Sequence, residues 1–283
     1  MAMSKKPILD VVYLLILMLF SLSVVAQDKA ALTIKLTTAM NDPARPDGDK
    51  ERDAARKPQQ VIEFMGIEPG MSVIDVMAGG GYYTELLAAA VGPEGKVISH
   101  NFEWLLQFRG GSNGAGIKDK AERYNNIEVL VAEFSPTFPP DSLWSRVNPA
   151  EWPVDIGQYE TDLELYAGKM DAAFLGLNLH DVYIWDENDE MHSEELLGNI
   201  FRMLKPGGIL GLTEHRGLAG RDNYTFHRMT DAKVKELLVA VGFEIAAESD
   251  ILTNPLDDHS KFVFDRSLER NTDRMLIRAS KPK

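Results

Sequence analysis

The stretch VIDVMAGGGYYTEL, residues 73–86, carries the clearest structural pattern in this sequence. An apolar run interrupted by one aspartate, Asp75, predicts a buried strand, and the apolar pattern that resumes at Tyr82 predicts a helix. The residues that join them are Gly79, Gly80 and Gly81. Glycine adopts backbone conformations that other residues avoid, and it lets a ligand approach the main chain closely. The stretch therefore predicts a strand, a sharp turn and a helix beside a ligand site.

Strand and helix patterns alternate through the rest of the chain. Further strands are predicted at 96–100, 127–132, 172–177, 209–213, 244–249 and 274–280, and helices at 82–91, 118–124, 193–204 and 231–241. The glycine-rich residues 109–116 are predicted to form a loop. Residues 135–165 contain prolines and tryptophans and are long for a connection, which predicts an insertion beside the site. The alternation predicts one α/β domain with a Rossmann-like, doubly wound, mainly parallel sheet.

Composition narrows the class of protein. The chain has 283 residues, of which 45% are hydrophobic and 26% charged, as in ordinary globular proteins. Its formal net charge of -13 argues against a nucleic-acid partner, because phosphate binding needs a basic surface. The chain has no cysteine, which excludes disulfides, thiolate metal sites and cysteine nucleophiles.

The first 26 residues have the pattern of a secretory leader. Lys5 and Lys6 precede an apolar run that is too short to span a bilayer comfortably, and a small residue, Ala26, closes it. We predict a signal peptide at 1–26; an uncleaved inner-membrane anchor is the alternative. The exported part of the chain would then lie in the periplasm. It would comprise a linker and helical extension at 27–60 and the main domain at 61–283.

The glycine spacing separates two kinds of nucleotide site. A dinucleotide fingerprint needs a third glycine where this chain has Thr84, so a nicotinamide cofactor is disfavoured. The stretch instead resembles motif I of the class I S-adenosylmethionine-dependent methyltransferases, with Asp75 as its acid and Gly79 and Gly81 as glycines. Met77 stands at the position of the motif's first glycine.

Later segments resemble the same family in the same order. They are AVGPEGKVISHN (90–101), IEVLVAEF (127–134), MLKPGGILGLTEHR (203–216) and VGFEI (241–245). Residues 52–88 further resemble a group of exported bacterial proteins thought to be methyltransferases. The resemblance implies a seven-stranded sheet with an antiparallel C-terminal strand and S-adenosyl-L-methionine as cofactor. It implies no particular methyl acceptor.

The resemblance also implies a set of cofactor-binding residues. They are Asp75, Met77, Ala78, Gly79, Gly80, Gly81, Tyr82, Asn101, Glu133 and Asn178. Asn101 stands where the family has an acid that binds the ribose hydroxyls, with Glu103 as the fallback. Glu133 stands where the family often has an acid facing the adenine amino group.

Two histidines are predicted at the acceptor side of the site. His180 and Asp181 follow the fourth strand, where a histidine near its ordinary pKa could accept a proton and the aspartate could orient its ring. His215 follows the fifth strand and is the third catalytic candidate. The alternatives are a strand-end cap for His180 or a metal site made of both histidines and a carboxylate, although no metal ligand is predicted. Arg52 and Arg56 are either anion-binding residues or a solvated helix face.

The sequence thus leaves two functions open. The first is S-adenosylmethionine-dependent methyl transfer to a small molecule or a cell-envelope component. The second is an exported binding module that keeps the methyltransferase fold without the reaction. The predicted leader places the protein outside the cytoplasm, whereas S-adenosylmethionine is made inside it. Membrane contact is predicted only through an uncleaved leader, and no oligomeric state is predicted.

Overall fold

The computed structural model describes residues 29–132, 156–184 and 191–283. The predicted leader, Glu133 and most of the predicted insertion lie outside these residues. The described part begins with helix α1, residues 29–40, and three shorter helices follow it: α2 (Asp47–Lys50), α3 (Asp53–Arg56) and α4 (Pro58–Met65). Pro58 opens α4, where its missing N–H has no helical partner to lose, and Gly66 ends it with a φ of 76°.

A seven-stranded sheet forms the centre of the molecule. Its strands are β1 (Ser72–Val76), β2 (Lys96–Asn101), β3 (Ile127–Val131), β4 (Met170–Gly176), β5 (Leu204–His215), β6 (Glu244–Ser249) and β7 (Arg274–Ser280). The spatial order is β3-β2-β1-β4-β5-β7-β6, and β7 runs antiparallel to both of its neighbours. The predicted fold, a doubly wound and mainly parallel sheet with an antiparallel C-terminal strand, is confirmed.

The remaining helices cover both faces of the sheet. They are α5 (Tyr82–Val91), α6 (Glu103–Arg123), α7 (Leu179–Ile184), α8 (Met191–Met203) and α9 (Asp231–Val241). Helix α9 begins at Thr230, whose hydroxyl accepts a hydrogen bond from the Lys233 N–H, and ends at Gly242 with a φ of 106°. Within the three described ranges, no helix is both long and apolar enough to cross a membrane.

Helix α6 corrects one sequence prediction. The glycine-rich residues 109–116 were expected to form a loop, but they lie inside α6, where Gly110 and Gly111 have positive φ angles of 68° and 81°. Gly116 explains part of this composition, because a Cβ there would lie 3.1 Å from the carbonyl oxygen of Gly80. The small residue lets α6 pack closely on the turn after β1, so tertiary packing overrides the low helix propensity of glycine.

The two larger of three apolar clusters among the described residues lie on the two faces of the sheet. Alternate residues of β1 divide between them: Ile74 and Val76 belong to a cluster with α8 and α9, and Val73 to a cluster with α4 and α5. Leu32 and Leu36 of α1 join the second cluster. The N-terminal extension is therefore part of the core packing, and the carboxyl ends of β1, β4 and β5 meet at one edge between the helical layers.

We predict that Gly81 is essential to the turn after β1 and that Gly80 is not. A Cβ on Gly81 would lie 2.8 Å from Ile117 Cδ1 and 2.9 Å from Lys120 Cδ, and the residue has a φ of 79°. Gly81→Ala should lower the free energy of unfolding by roughly 2–4 kcal/mol, from backbone strain and displaced buried side chains. Chemical denaturation measures the change.

Gly80→Ala is the matched control for this measurement. Its added Cβ would come no closer than 3.5 Å to Asn113 Oδ1, which is an ordinary contact, and its φ is not positive. Equal stability losses for the two variants would contradict the assignment of the strain to Gly81.

Candidate functional site

The turn after β1 is held in a left-handed conformation at alternate residues. Met77, Gly79 and Gly81 have φ angles of 52°, 57° and 79°. The Gly81 N–H donates to the Ala78 carbonyl, which closes the turn, and Gly81 then caps the start of α5. Met77 is a rare non-glycine residue in this conformation, which costs about 1–2 kcal/mol. Its buried side chain packs in the core cluster of Ile74 and Val76.

The end of β2 holds this turn from one side. The Ala78 N–H donates to the His100 carbonyl oxygen (2.9 Å), and the Met77 N–H donates to His100 Nδ1 (3.3 Å). His100 Nε2 lies 2.8 Å from the Ala132 carbonyl oxygen, so Nε2 carries the proton. Burial lowers the pKa of His100 to about 4, which keeps the ring neutral. His100 is a positioning residue that sequence reasoning missed, since its role depends on a partner strand.

Asn101 is bound to the turn through both ends of its amide. Its Oδ1 accepts from the Gly79 N–H (2.7 Å), and its Nδ2 donates to the Gly79 carbonyl (3.3 Å). A contact from Asn101 to a ribose stays a prediction, since the amide already serves Gly79. Glu103, the fallback residue, is exposed at the start of α6. Glu133 lies outside the described residues.

Asn178 holds the turn from the other side. It follows β4 and donates from Nδ2 to the carbonyl oxygens of Met77 (3.1 Å) and Gly176 (2.9 Å). The turn after β1 is thus tied to both neighbouring strands, β2 and β4. Asn178 therefore lies at this turn, and the binding of one ligand by Ala78, Gly79 and Asn178 stays a prediction.

Asp75 is buried beneath this turn. Thr84 donates its hydroxyl hydrogen to Asp75 Oδ2 at 2.6 Å. Burial is the largest influence on the carboxyl and raises its pKa to about 7, although the Thr84 hydrogen bonds and the charge of Arg56 act in the opposite direction. Asp75 is therefore partly protonated near neutral pH.

Tyr82 and Tyr83 face the N-terminal extension. The Tyr82 hydroxyl donates to Asp53 Oδ1 (2.7 Å), and the Tyr83 hydroxyl donates to the Arg56 carbonyl (3.2 Å). Three guanidinium groups surround the Tyr82 ring, with centroid distances of 5.2, 4.8 and 4.5 Å for Arg45, Arg52 and Arg56, respectively. A contact from Tyr82 to the cofactor stays a prediction.

These arginines differ in how their charge is balanced. Arg45 makes a two-pronged ion pair with Asp53, and Arg52 pairs with Asp49. Among the described residues, no carboxylate lies within ion-pair distance of Arg56 or of the buried Arg274. Arg274 donates to Thr272 Oγ1 and to the backbone carbonyls of Ala55 and Arg270.

The electrostatics of Arg56 and Arg274 reflect this missing counter-charge. Burial, and then Arg52, lowers the pKa of Arg56. Burial, and then the charge of Arg56, lowers the pKa of Arg274 to about 10. Since arginine keeps its charge in proteins, the two side chains form a cationic pair next to α5 that is suited to an anion. Sequence reasoning raised Arg56 as one option and missed Arg274.

His180 is enclosed by two carboxylates. Its Nδ1 lies 2.6 Å from Glu214 Oε1, its backbone N–H donates to Glu214 Oε2 (3.0 Å), and its Nε2 lies 3.2 Å from Asp181 Oδ1. Burial opposes protonation, but the two carboxylates outweigh it and raise the pKa of His180 to about 10. The same contact lowers the pKa of Asp181 against the effect of its burial. These contacts favour the protonated ring, and its role as a proton acceptor stays a prediction.

His215 has the opposite electrostatic state. Burial, followed by the positive charges of His180 and Arg274, holds its pKa well below 6.5. Its Nδ1 lies 2.6 Å from Thr272 Oγ1, and its ring centroid is 5.3 Å from that of His180. The structure therefore brings the two predicted histidines together, and His215 is the neutral member of the pair.

His227 is a third histidine at this edge, and sequence reasoning missed it. It lies between β5 and α9 with a φ of 54°, and its Nδ1 is 3.2 Å from Asp181 Oδ1. One ligand-type atom each from His180, Asp181 and His227 lies within 4.8 Å of the others. His227 rather than His215 thus completes the cluster around Asp181. No local sequence signal marks it, because it is brought in by a loop.

The sheet order and the position of the glycine turn define the class. The chain has the class I methyltransferase fold, with the turn after β1 at the point where strand order reverses between β1 and β4.

Comparisons with known proteins agree with this class. Residues 48–131 match the sequence model of the family described as protein-L-isoaspartate(D-aspartate) O-methyltransferase. A protein-L-isoaspartate O-methyltransferase from Ignicoccus hospitalis is 31% identical over 87 residues, which are 31% of this chain and 39% of that protein. The enzyme of the same name from Methanothermobacter thermautotrophicus is 30% identical over a segment that makes up 31% of this chain and 38% of that enzyme. The match thus spans less than half of these relatives.

Solved structures resemble the chain over a longer range. A SAM-dependent methyltransferase from Aquifex aeolicus superposes with a TM-score of 0.51 at 16% identity. The superposition covers 89% of this chain and 98% of the Aquifex chain. The cyclase SpnF superposes with a TM-score of 0.50 at 19% identity over 81% of both chains. At this identity the likeness concerns the fold, and the two names indicate that the fold serves more than one reaction.

We predict that Asp75 makes stability depend on pH. Its pKa is raised from 3.8 to about 7 in the folded chain, so the folded state keeps a proton that the unfolded state loses. Stability from this group is therefore lost as pH rises from about 4 to about 7. Relative to Asp75→Asn, the wild type should lose up to roughly 4 kcal/mol across that range.

Urea denaturation of the ligand-free protein at several pH values measures this difference. Asp47→Asn is the control, since the Asp47 side chain is 96% exposed and its partner Lys50 is 4.0 Å away. A stability difference between wild type and Asp75→Asn that does not change with pH would contradict the burial of a protonated carboxyl.

Proposed function

We propose that this protein is an S-adenosylmethionine-dependent methyltransferase. The main support is the match of residues 48–131 to a methyltransferase family, since this segment contains the left-handed turn, Asp75 and Asn101. The class I fold supports the same reading independently. The named relatives act on isoaspartyl protein, but this chain matches less than half of their length, so the acceptor is proposed only as a small molecule or a cell-envelope component.

The residues at the turn fit the chemistry of this cofactor. S-adenosylmethionine carries an amino-acid end with a carboxylate, and it supplies an activated methyl group when bound. Arg56 lies 4.5 Å from the ring of Tyr82, the residue directly after Gly81, and it lacks a carboxylate partner among the described residues. We propose that Arg56, supported by Arg274, binds the cofactor's carboxylate, and that the backbone of Ala78 and Gly79 faces its amino-acid end.

The acceptor side is proposed at the ends of β4 and β5. Asn178 fixes the turn, and two residues later His180 begins the polar cluster with Asp181 and Glu214. Methyl transfer depends mainly on placing the acceptor in line with the methyl group, and a nearby neutral imidazole helps when the acceptor must lose a proton. His215, which is neutral at physiological pH, is the better-suited proton acceptor of the two predicted histidines.

A non-catalytic binding module is the second candidate. Met77 at a glycine position and the engagement of Asn101 with Gly79 favour it, because both depart from the usual cofactor site. Such a module would bind S-adenosylhomocysteine without transferring a methyl group to any acceptor. Both proposals therefore predict binding in the test below, and only the methyltransferase should also transfer a methyl group.

We predict that the protein binds S-adenosylhomocysteine and that Arg56 recognises its carboxylate. Calorimetric titration of wild type and Arg56→Gln measures both. The variant should bind S-adenosylhomocysteine about 10- to 100-fold more weakly, since it loses charge-assisted hydrogen bonds. It should bind 5'-methylthioadenosine, which has no amino-acid end, as well as wild type does.

Arg52→Gln is the matched control, because Arg52 lies in the same cluster but is paired with Asp49. It should leave both affinities nearly unchanged. Absence of S-adenosylhomocysteine binding to the folded wild type would exclude the proposed cofactor. An equal loss for both ligands in Arg56→Gln would instead assign Arg56 a structural role.

We further propose that the chain is exported. The support is the leader pattern at 1–26, whose structure lies outside the described residues. The mature protein should then begin at Gln27 in the periplasmic fraction of a producing bacterium. N-terminal sequencing tests this, and an intact Met1 on protein recovered from the cytoplasm would rule out the cleaved leader.

A further inference from the structure

The cluster at the ends of β4 and β5 has the composition of a metal site. His180 and Asp181 lie in the first turn of α7, and His227 reaches Asp181 from the loop before α9. The group offers two imidazole nitrogens and one carboxylate oxygen within 4.8 Å of one another. Two histidines and one carboxylate form a common ligand set for zinc and neighbouring divalent ions.

One buried atom in this cluster lacks a satisfactory partner. His180 is 1% exposed, and among the described residues its Nε2 makes no hydrogen bond of good geometry. That nitrogen faces Asp181 Oδ1 at 3.2 Å. A buried nitrogen left in this state is unfavourable, and a cation between the two atoms would satisfy both.

The opposite side of the His180 ring is arranged as in known metal centres. Its Nδ1 lies 2.6 Å from Glu214 Oε1, and Glu214 Oε2 accepts from the His180 backbone N–H. Metal-binding histidines usually donate their second ring N–H to a carboxylate, which fixes the ring and leaves the other nitrogen free for the ion. Glu214 orients His180 in this way and directs Nε2 towards Asp181.

The distances from Asp181 to the two histidines also fit a metal site. In a tetrahedral zinc site with bonds near 2.0–2.1 Å, neighbouring ligand atoms are about 3.3 Å apart. Asp181 Oδ1 lies 3.2 Å from His180 Nε2 and 3.2 Å from His227 Nδ1. Asp181 thus stands at a suitable distance from both histidines. The side chains of Asp181 and His227 are 21% and 28% exposed, which leaves a route for an ion to enter.

We propose that His180, Asp181 and His227 bind one divalent transition-metal ion of the zinc class. Three protein ligands leave a coordination position open, as in metal sites that take a substrate atom. The site lies two residues beyond Asn178, which contacts the turn after β1. The next step rests on the proposed methyl transfer. In that reaction the open coordination position binds an oxygen atom of the methyl acceptor.

Calorimetric titration of the untagged, metal-free protein with Zn²⁺ tests the site. Wild type should bind one equivalent with micromolar or tighter affinity, and Asp181→Asn and His227→Gln should each weaken binding at least about tenfold, because each removes a ligand. Co²⁺ provides a second measurement, since visible absorption bands of a four-coordinate nitrogen and oxygen site should form in wild type and disappear in His227→Gln. Thermal melting verifies that each variant is folded.

His259→Gln is the matched control. His259 is a partly buried histidine bonded to Asp273 and outside the cluster, so its replacement should leave Zn²⁺ affinity unchanged. Equal Zn²⁺ binding by wild type and His227→Gln, or no binding by wild type, would overturn the proposal and leave a proton between His180 and Asp181. Because no cofactor is used, failure of S-adenosylhomocysteine binding would not affect this result.

Discussion

The left-handed turn after β1 is the constraint on which the rest of the site depends. Three alternate residues, Met77, Gly79 and Gly81, have positive φ angles, and the chain then enters α5 directly. This geometry places the start of α5 beside the ends of β2 and β4. It also leaves no room for a side chain at Gly81, where α6 packs. The close approach of α6 to the turn therefore depends on the small residues there.

The turn is stabilised by the protein itself. His100 and Asn101 bind it from β2, and Asn178 binds it from β4, so its shape does not depend on a ligand. A site that is already ordered loses less conformational entropy when a ligand binds. The strained backbone at Met77 is maintained by the same contacts, because the hydrogen bonds from both neighbouring strands determine its conformation.

The sequence predicted the sheet well because its signals are local. Apolar runs bounded by turn residues marked all seven strands, and Gly81 and Gly242 marked the start of α5 and the end of α9. Helix α6 was largely missed, because its glycines signal a loop locally, whereas one of them, Gly116, packs closely against Gly80. That information is carried by a contact between distant segments and is absent from any short window.

The site was predictable in part for the same physical reason. Residues directly after strands, such as Asn178, His180 and His215, could be placed because parallel strands end at one edge. His227, His100 and Arg274 could not, since their roles arise from a loop, a partner strand and an antiparallel strand, respectively. The charge states of the histidines could not be predicted either, because both rings are buried and the carboxylates of Asp181 and Glu214 make the pKa of His180 differ from that of His215.

The unbalanced charges of the site point to two different ligands. Arg228 shows how this chain neutralises a buried arginine, since Asp257 binds it through two hydrogen bonds. Arg56 and Arg274 have no such partner among the described residues, whereas Asp181 and Glu214 together surround one histidine. Leaving buried charge uncompensated is unfavourable in a folded protein. The arginine side is therefore suited to an anion and the carboxylate side to a cation. A ligand that carries a carboxylate would balance the charge of the arginines, and a metal ion would balance the charge of the carboxylates at the same edge of the sheet.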